Sequence, residues 1–211
     1  MKKVLIVVVI LLLVAAGYLV WAFKFRSGAR REKGPKPVAL AVSKHSEGFN
    51  ESVAQVLADY YDMTEAFVNW DSLKVNTVAA ALQQSLDSLK IGELQRDTFI
   101  YQSALDPLGN AKAQVAAVVS EPTLDKKRVA LNSLSENLLQ LFVIVKYDRA
   151  KMYWQECPMA FGEDQSGFWI SQTDAVRNPY LGLKHPTYKA GMLTCGEPKD
   201  TINFTVPDTA R

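Results

Sequence analysis

Phe49, Val53, Val56, Tyr60, Met63, Phe67 and Trp70 follow one another at alternating steps of four and three residues. A strand would put apolar residues at every second position, so this spacing predicts a single amphipathic helix of about six turns. Such a helix has one face to bury and is stable only against partners. Ser46 is suited to cap its N-terminus, with Glu47 in the favourable first turn. Asp71 is suited to cap a second helix whose stripe is Val75, Val78, Ala79, Leu82, Leu86 and Leu89. Gly92 separates a third, expected from Glu93 to Ser120, with Leu94, Tyr101, Leu105, Leu108, Val115 and Val118 on one face. Pro107 is expected to kink or split it, with Asp106 capping a fresh helix. After the turn Glu121-Pro122-Thr123, a fourth helix carries Leu124, Leu131, Leu134, Leu138, Leu141 and Val145. Short connections make residues 47–146 an antiparallel up-down four-helix bundle, and the chain mainly α.

What precedes the bundle is of another kind. Val4 to Phe23 is 20 residues without a charge, enough at helical rise to cross a bilayer core of about 30 Å. Tyr18 and Trp21 fall near one end, where amphipathic rings prefer the interface. Residues 1–23 are therefore read as an uncleaved transmembrane helix, although Val14-Ala15-Ala16 would also suit a signal cleavage site. Residues 24–46 read as a basic linker, with Gly34-Pro35 and Pro37 opposing helix. Six basic residues follow the span, which by the positive-inside rule alone would keep the C-terminal part in the cytoplasm. Large domains translocate largely regardless of charge, and an inner-membrane anchor with a periplasmic domain is the expectation.

The net charge of +2 hides an asymmetry: residues 1–36 carry eight Lys/Arg and one acid, the remainder 16 basic and 21 acidic residues. An acidic domain lacks the basic face that nucleic acid requires, so no nucleic-acid partner is expected. No phosphate-binding glycine loop, zinc-protease motif or serine-nucleophile elbow is present, and no enzymatic activity is expected. The two histidines, His45 and His185, are too few for a three-histidine metal centre.

After Lys146 the helical period is lost. Residues 147–211 are rich in Gly and Pro and read as a small loop-rich lobe with short strands, expected at one end of the bundle. Both cysteines fall here, each near a methionine: Cys157-Pro158-Met159 and Met192-Leu193-Thr194-Cys195. Thiolate and thioether are soft donors that together suit Cu(I) and, by the same chemistry, Ag(I). Cys157, Met159, Met192 and Cys195 are the candidate metal ligands, with Met152 and His185 as extra donors. Two other readings stand beside this one: a Cys157–Cys195 disulfide, or buried thiols and methionines that only fill core space.

At these residues the chain resembles a known family. Glu156-Cys157-Pro158-Met159-Ala160, Gly167-Phe168-Trp169-Ile170-Ser171, Arg177-Asn178-Pro179-Tyr180-Leu181-Gly182 and Met192-Leu193-Thr194-Cys195-Gly196-Glu197 resemble the signature of a domain-of-unknown-function family. Its members occur alone in the bacterial envelope, or fused to the C-terminus of CusB-like periplasmic adaptors of heavy-metal RND efflux pumps. The resemblance covers roughly residues 50–202. It implies a periplasmic location, a link to copper or silver handling, a heavy-metal efflux pump or adaptor as partner, and the four sulfur ligands above. The chain departs from the pattern in the longer stretch LKHPTYKAG between Gly182 and Met192, where His185 is an added donor or a solvated loop tip. Two functions follow as expectations. One is a membrane-anchored binding protein for soft metal ions. The other is a disulfide-stapled interaction module whose exposed aromatics, Trp154, Phe168, Trp169 and Tyr180, dock a protein partner.

Overall fold

The structure is a computed structural model and describes residues 18, 21, 43 and 45–205. The chain divides into two compact units, Met1–Ala39 and Leu40–Arg211. In the first, Tyr18 and Trp21 are described; both are helical and exposed, with ring centroids 6.1 Å apart. Apart from these two residues, the span expected at 4–23 lies outside the described residues. Among the described residues no helix is long and apolar enough to cross a membrane.

The described part of the second unit holds four α-helices and a three-stranded antiparallel sheet. Helix α1 spans Glu47–Val68, α2 Ser72–Asp87, α3 Thr98–Ser120 and α4 Leu124–Val145. Each begins at a side chain that accepts an otherwise unpaired backbone N–H. Ser46 accepts from Phe49, Asp71 from Lys74, Asp97 from Phe99 and Ile100, and Thr123 from Lys126. Such caps contribute about 1 kcal/mol each. The stripe of α1 is buried from Phe49 to Phe67 as the spacing predicts. Trp70 leaves it: its φ of 57° puts it past the helix end, and its ring is only half buried.

The third helix differs from expectation. Ile91–Arg96 forms a 3₁₀ turn and Asp97 caps, so α3 starts at Thr98. It then runs unbroken through Asp106 and Pro107, which is itself buried. Ala104, Leu108, Ala111, Val115 and Val118 are the face it buries on both sides of the proline. Their packing outweighs the roughly 3 kcal/mol that proline costs a helix interior. The expected face had Tyr101 and Leu105, which are half exposed; the small residues Ala104 and Ala111 sit inside instead.

Strand β1 spans Lys151–Cys157, β2 Gly167–Ser171 and β3 Glu197–Asn203, in the order β2-β1-β3. The sheet does not sit on one end of the bundle, as expected, but along the side made by α1 and α4. Tyr60 in α1 and Ser135 in α4 join their hydroxyls at 2.7 Å, and the Tyr60 oxygen also accepts the Ile170 N–H of β2 at 3.1 Å. The Asn132 carboxamide oxygen of α4 accepts the N–H of Phe168 at 2.7 Å. Polar groups buried between helices and sheet thus find partners across the seam. The segment after β2 reaches one bundle end, where the Trp70 indole donates to the Leu181 carbonyl at 2.9 Å.

Candidate functional site

Cys157 is the last residue of β1, opposite Gly167 of β2, and is wholly buried. Cys195 follows the short 3₁₀ turn Ala190–Met192 and is partly buried. Though 38 residues apart, their sulfurs lie 3.5 Å from one another, unbonded. Burial, and then the neighbouring Cys157 sulfur, push the Cys195 thiol up to about 11. Cys195 therefore holds its proton at neutral pH until something displaces it.

Two residues outside the sulfur set hold this approach. Asn178 is fully buried, and its carboxamide oxygen accepts from the N–H groups of Tyr180 (2.8 Å) and Leu181 (3.0 Å). Its side-chain nitrogen donates to the Cys195 carbonyl at 2.7 Å, while its own backbone N–H donates to Leu193 at 2.9 Å. One side chain thus ties the Cys195 turn to the loop at 178–181. Gly196 brings the chain against β1: at φ +135°, a Cβ there would lie 2.3 Å from the Glu156 carbonyl oxygen. The sequence placed both inside the quoted signature without giving either a role. Asn178-Pro179 announces a turn, but nothing in it says which carbonyl the side chain will reach.

The methionines and histidine separate. Met192 shares the Cys195 turn, its carbonyl accepting the Cys195 N–H at 3.0 Å. Met159, two residues past Cys157, lines a neighbouring cleft of about 620 Å³ together with His185. Met152 is buried in the core, opposite Ile202. His185 is not a free loop tip: its ring meets Trp70 edge-on at 5.6 Å and stacks on Tyr188 at 4.8 Å. Its Nδ1 accepts the N–H groups of Thr187 and Tyr188. Burial first, then Arg128, hold it below the usual histidine value. Among the described residues no group of three or more His, Cys, Asp or Glu converges.

The proposed docking aromatics are corrected. Trp169 and Tyr180 are core residues, 2% and 1% exposed. Tyr180 donates to the Phe168 carbonyl, and Gly167 leaves room for its ring. The sequence marked them as exposed because the lobe looked loop-rich, yet these rings are what the lobe packs on. Trp154 and Phe168 are half buried and stack on each other at 5.4 Å.

A DUF3347 domain, described as a protein of unknown function, is found at residues 56–149. The match takes in most of the four helices and ends before either cysteine. No curated protein and no solved structure matches the chain.

Proposed function

We propose that this is a membrane-anchored periplasmic protein that binds soft metal ions, Cu(I) or Ag(I), for sequestration or for delivery to a heavy-metal efflux pump or adaptor. The observation that carries the reading is the thiol pair. Two ligands of one tetrahedral ion with metal–sulfur bonds of about 2.3 Å stand about 3.8 Å apart, and a disulfide about 2 Å. The 3.5 Å between Cys157 and Cys195 lies close to the former. The pair is also reached through a fold, not a local motif, which suits a site kept in one shape before the ion arrives. Met192 and Met159 are the nearest soft donors in sequence and complete the proposed set. The anchor is residues 4–23, on the strength of their uncharged run.

The test is titration of the full chain in detergent with Cu(I), under reducing conditions and against a chromophoric Cu(I) chelator. One ion is expected to bind per chain, and the double variant Cys157→Ser, Cys195→Ser is expected to lose it while keeping its helical circular dichroism. If the wild-type chain does not compete with the chelator, or the double variant competes equally well, the reading fails. A mass two hydrogens below the free-thiol value in protein taken from the envelope without reductant would favour the disulfide-stapled module instead.

A further inference from the structure

Two adjacent cations on α4, Lys127 and Arg128, are buried, each 2% exposed. The Lys127 ammonium is fully accounted for: it donates to the Asn76 side chain at 2.9 Å and to the carbonyls of Val118 and Val119. Three donors meet three acceptors. Arg128 is not accounted for in the same way. Its Nε donates to the Pro179 carbonyl at 3.2 Å and its Nη1 to Asp125 at 3.1 Å, while Nη2 is buried with no hydrogen-bond partner. A buried guanidinium with unmet donors is costly to a fold that gains nothing from it.

Arg128 forms part of the wall of the cleft of about 620 Å³, a size usual for small-molecule sites. Its guanidinium carbon lies 4.0 Å from the centroid of the Trp70 ring, a contact that restrains the side chain before any ligand arrives. The rest of the lining is mostly apolar and aromatic: Phe161, Tyr180, Tyr188, Val129 and Leu181. Lys126 adds a second cation, Asp125 and Glu163 are the acids present, and Asp125 already engages Nη1. The first turn of α4 contributes its positive end on the same side.

We propose that this cleft binds a small organic carboxylate with an apolar body, the carboxylate completing the hydrogen bonding of Arg128 and the body lying on the Phe161 and Tyr188 rings. The cleft shares Met159 of its wall with the proposed metal set, but neither cysteine lines it and binding of the carboxylate does not depend on them.

Calorimetry of the full chain in detergent tests this with 2-naphthylacetate as probe and its uncharged amide as control, each corrected by a titration into detergent alone. Saturable binding of the carboxylate at least tenfold tighter than the amide is expected. Arg128→Met should abolish that preference. Because this change also removes a packed side chain, Val129→Glu provides a second arm. Val129 is 57% exposed at the rim, so a carboxylate there leaves the fold intact and should weaken the probe at least tenfold by repulsion. The Cys157→Ser, Cys195→Ser variant should bind the probe as the wild type does, whatever it does with Cu(I). No saturable binding, equal binding of acid and amide, an acid preference unchanged in Arg128→Met, or probe affinity unchanged in Val129→Glu would each overturn the proposal.

Discussion

Replacing Asn178 by Ala isolates what brings Cys195 to Cys157. The change leaves three buried backbone groups without their partner: the N–H groups of Tyr180 and Leu181 and the carbonyl of Cys195. Each unmet buried group costs about 1–3 kcal/mol, and water reaching the partly buried turn relieves some of it, so a loss of about 3–6 kcal/mol is expected. Asn178→Asp separates the two jobs of the side chain. An aspartate still accepts from Tyr180 and Leu181, but it cannot donate to Cys195, and its charge faces that carbonyl. It should retain more stability than alanine while freeing the Cys195 turn. Stability is read by urea unfolding of the detergent-solubilised chain, followed by near-ultraviolet circular dichroism. The turn is read by the rate at which glutathione disulfide converts the two thiols to a disulfide, releasing two molecules of glutathione. Closure within the chain should slow at least tenfold in both variants as the sulfurs lose their fixed approach. A loss below about 1 kcal/mol in Asn178→Ala, with closure as fast as in the wild type, would refute the assignment of Asn178 as the clamp.

Tyr60→Phe should cost about 1–3 kcal/mol, because the buried Ile170 N–H and the Ser135 hydroxyl both lose a partner; unfolding midpoints in urea measure it. Gly196→Ala should destabilise by several kcal/mol through its positive φ and the 2.3 Å approach to Glu156, whereas Gly109→Ala, inside α3 with open space around it, should stabilise by roughly 0.5–1 kcal/mol. If both glycine changes shift the melting temperature in the same direction, the backbone argument is wrong. The raised Cys195 thiol sets a sign for pH: an ion must displace its proton, so below about 11 the apparent Cu(I) affinity should rise as pH rises, about tenfold per unit for each proton released. Chelator competition at pH 6 and pH 8, corrected for the chelator's own protonation, would expose a flat profile if the thiols are not the ligands.

The amino-acid order alone determined that the second unit holds four helices, because a 3.6-residue period, with Ser46 and Asp71 at the first two starts, is a local property that any burying partner satisfies. It also determined that both cysteines belong to a region unlike the bundle. It misjudged α3, where proline was weighed by its local cost and the burial of Ala104, Leu108 and Ala111 on either side was not visible. Only the tertiary structure decided where the sheet lies, since the hydroxyl of Tyr60 gives no hint in sequence of meeting Ser135 and Ile170. The same is true of the 3.5 Å approach of Cys157 and Cys195, which depends on Asn178 and Gly196. The fold also separated Lys127 from Arg128, neighbours of like charge, by giving the ammonium an acceptor for each of its donors and leaving Nη2 of the guanidinium without one. Periodicity records which face of a segment is buried, but contacts between residues distant in the chain are fixed by packing, and packing leaves no regular mark on the order of residues.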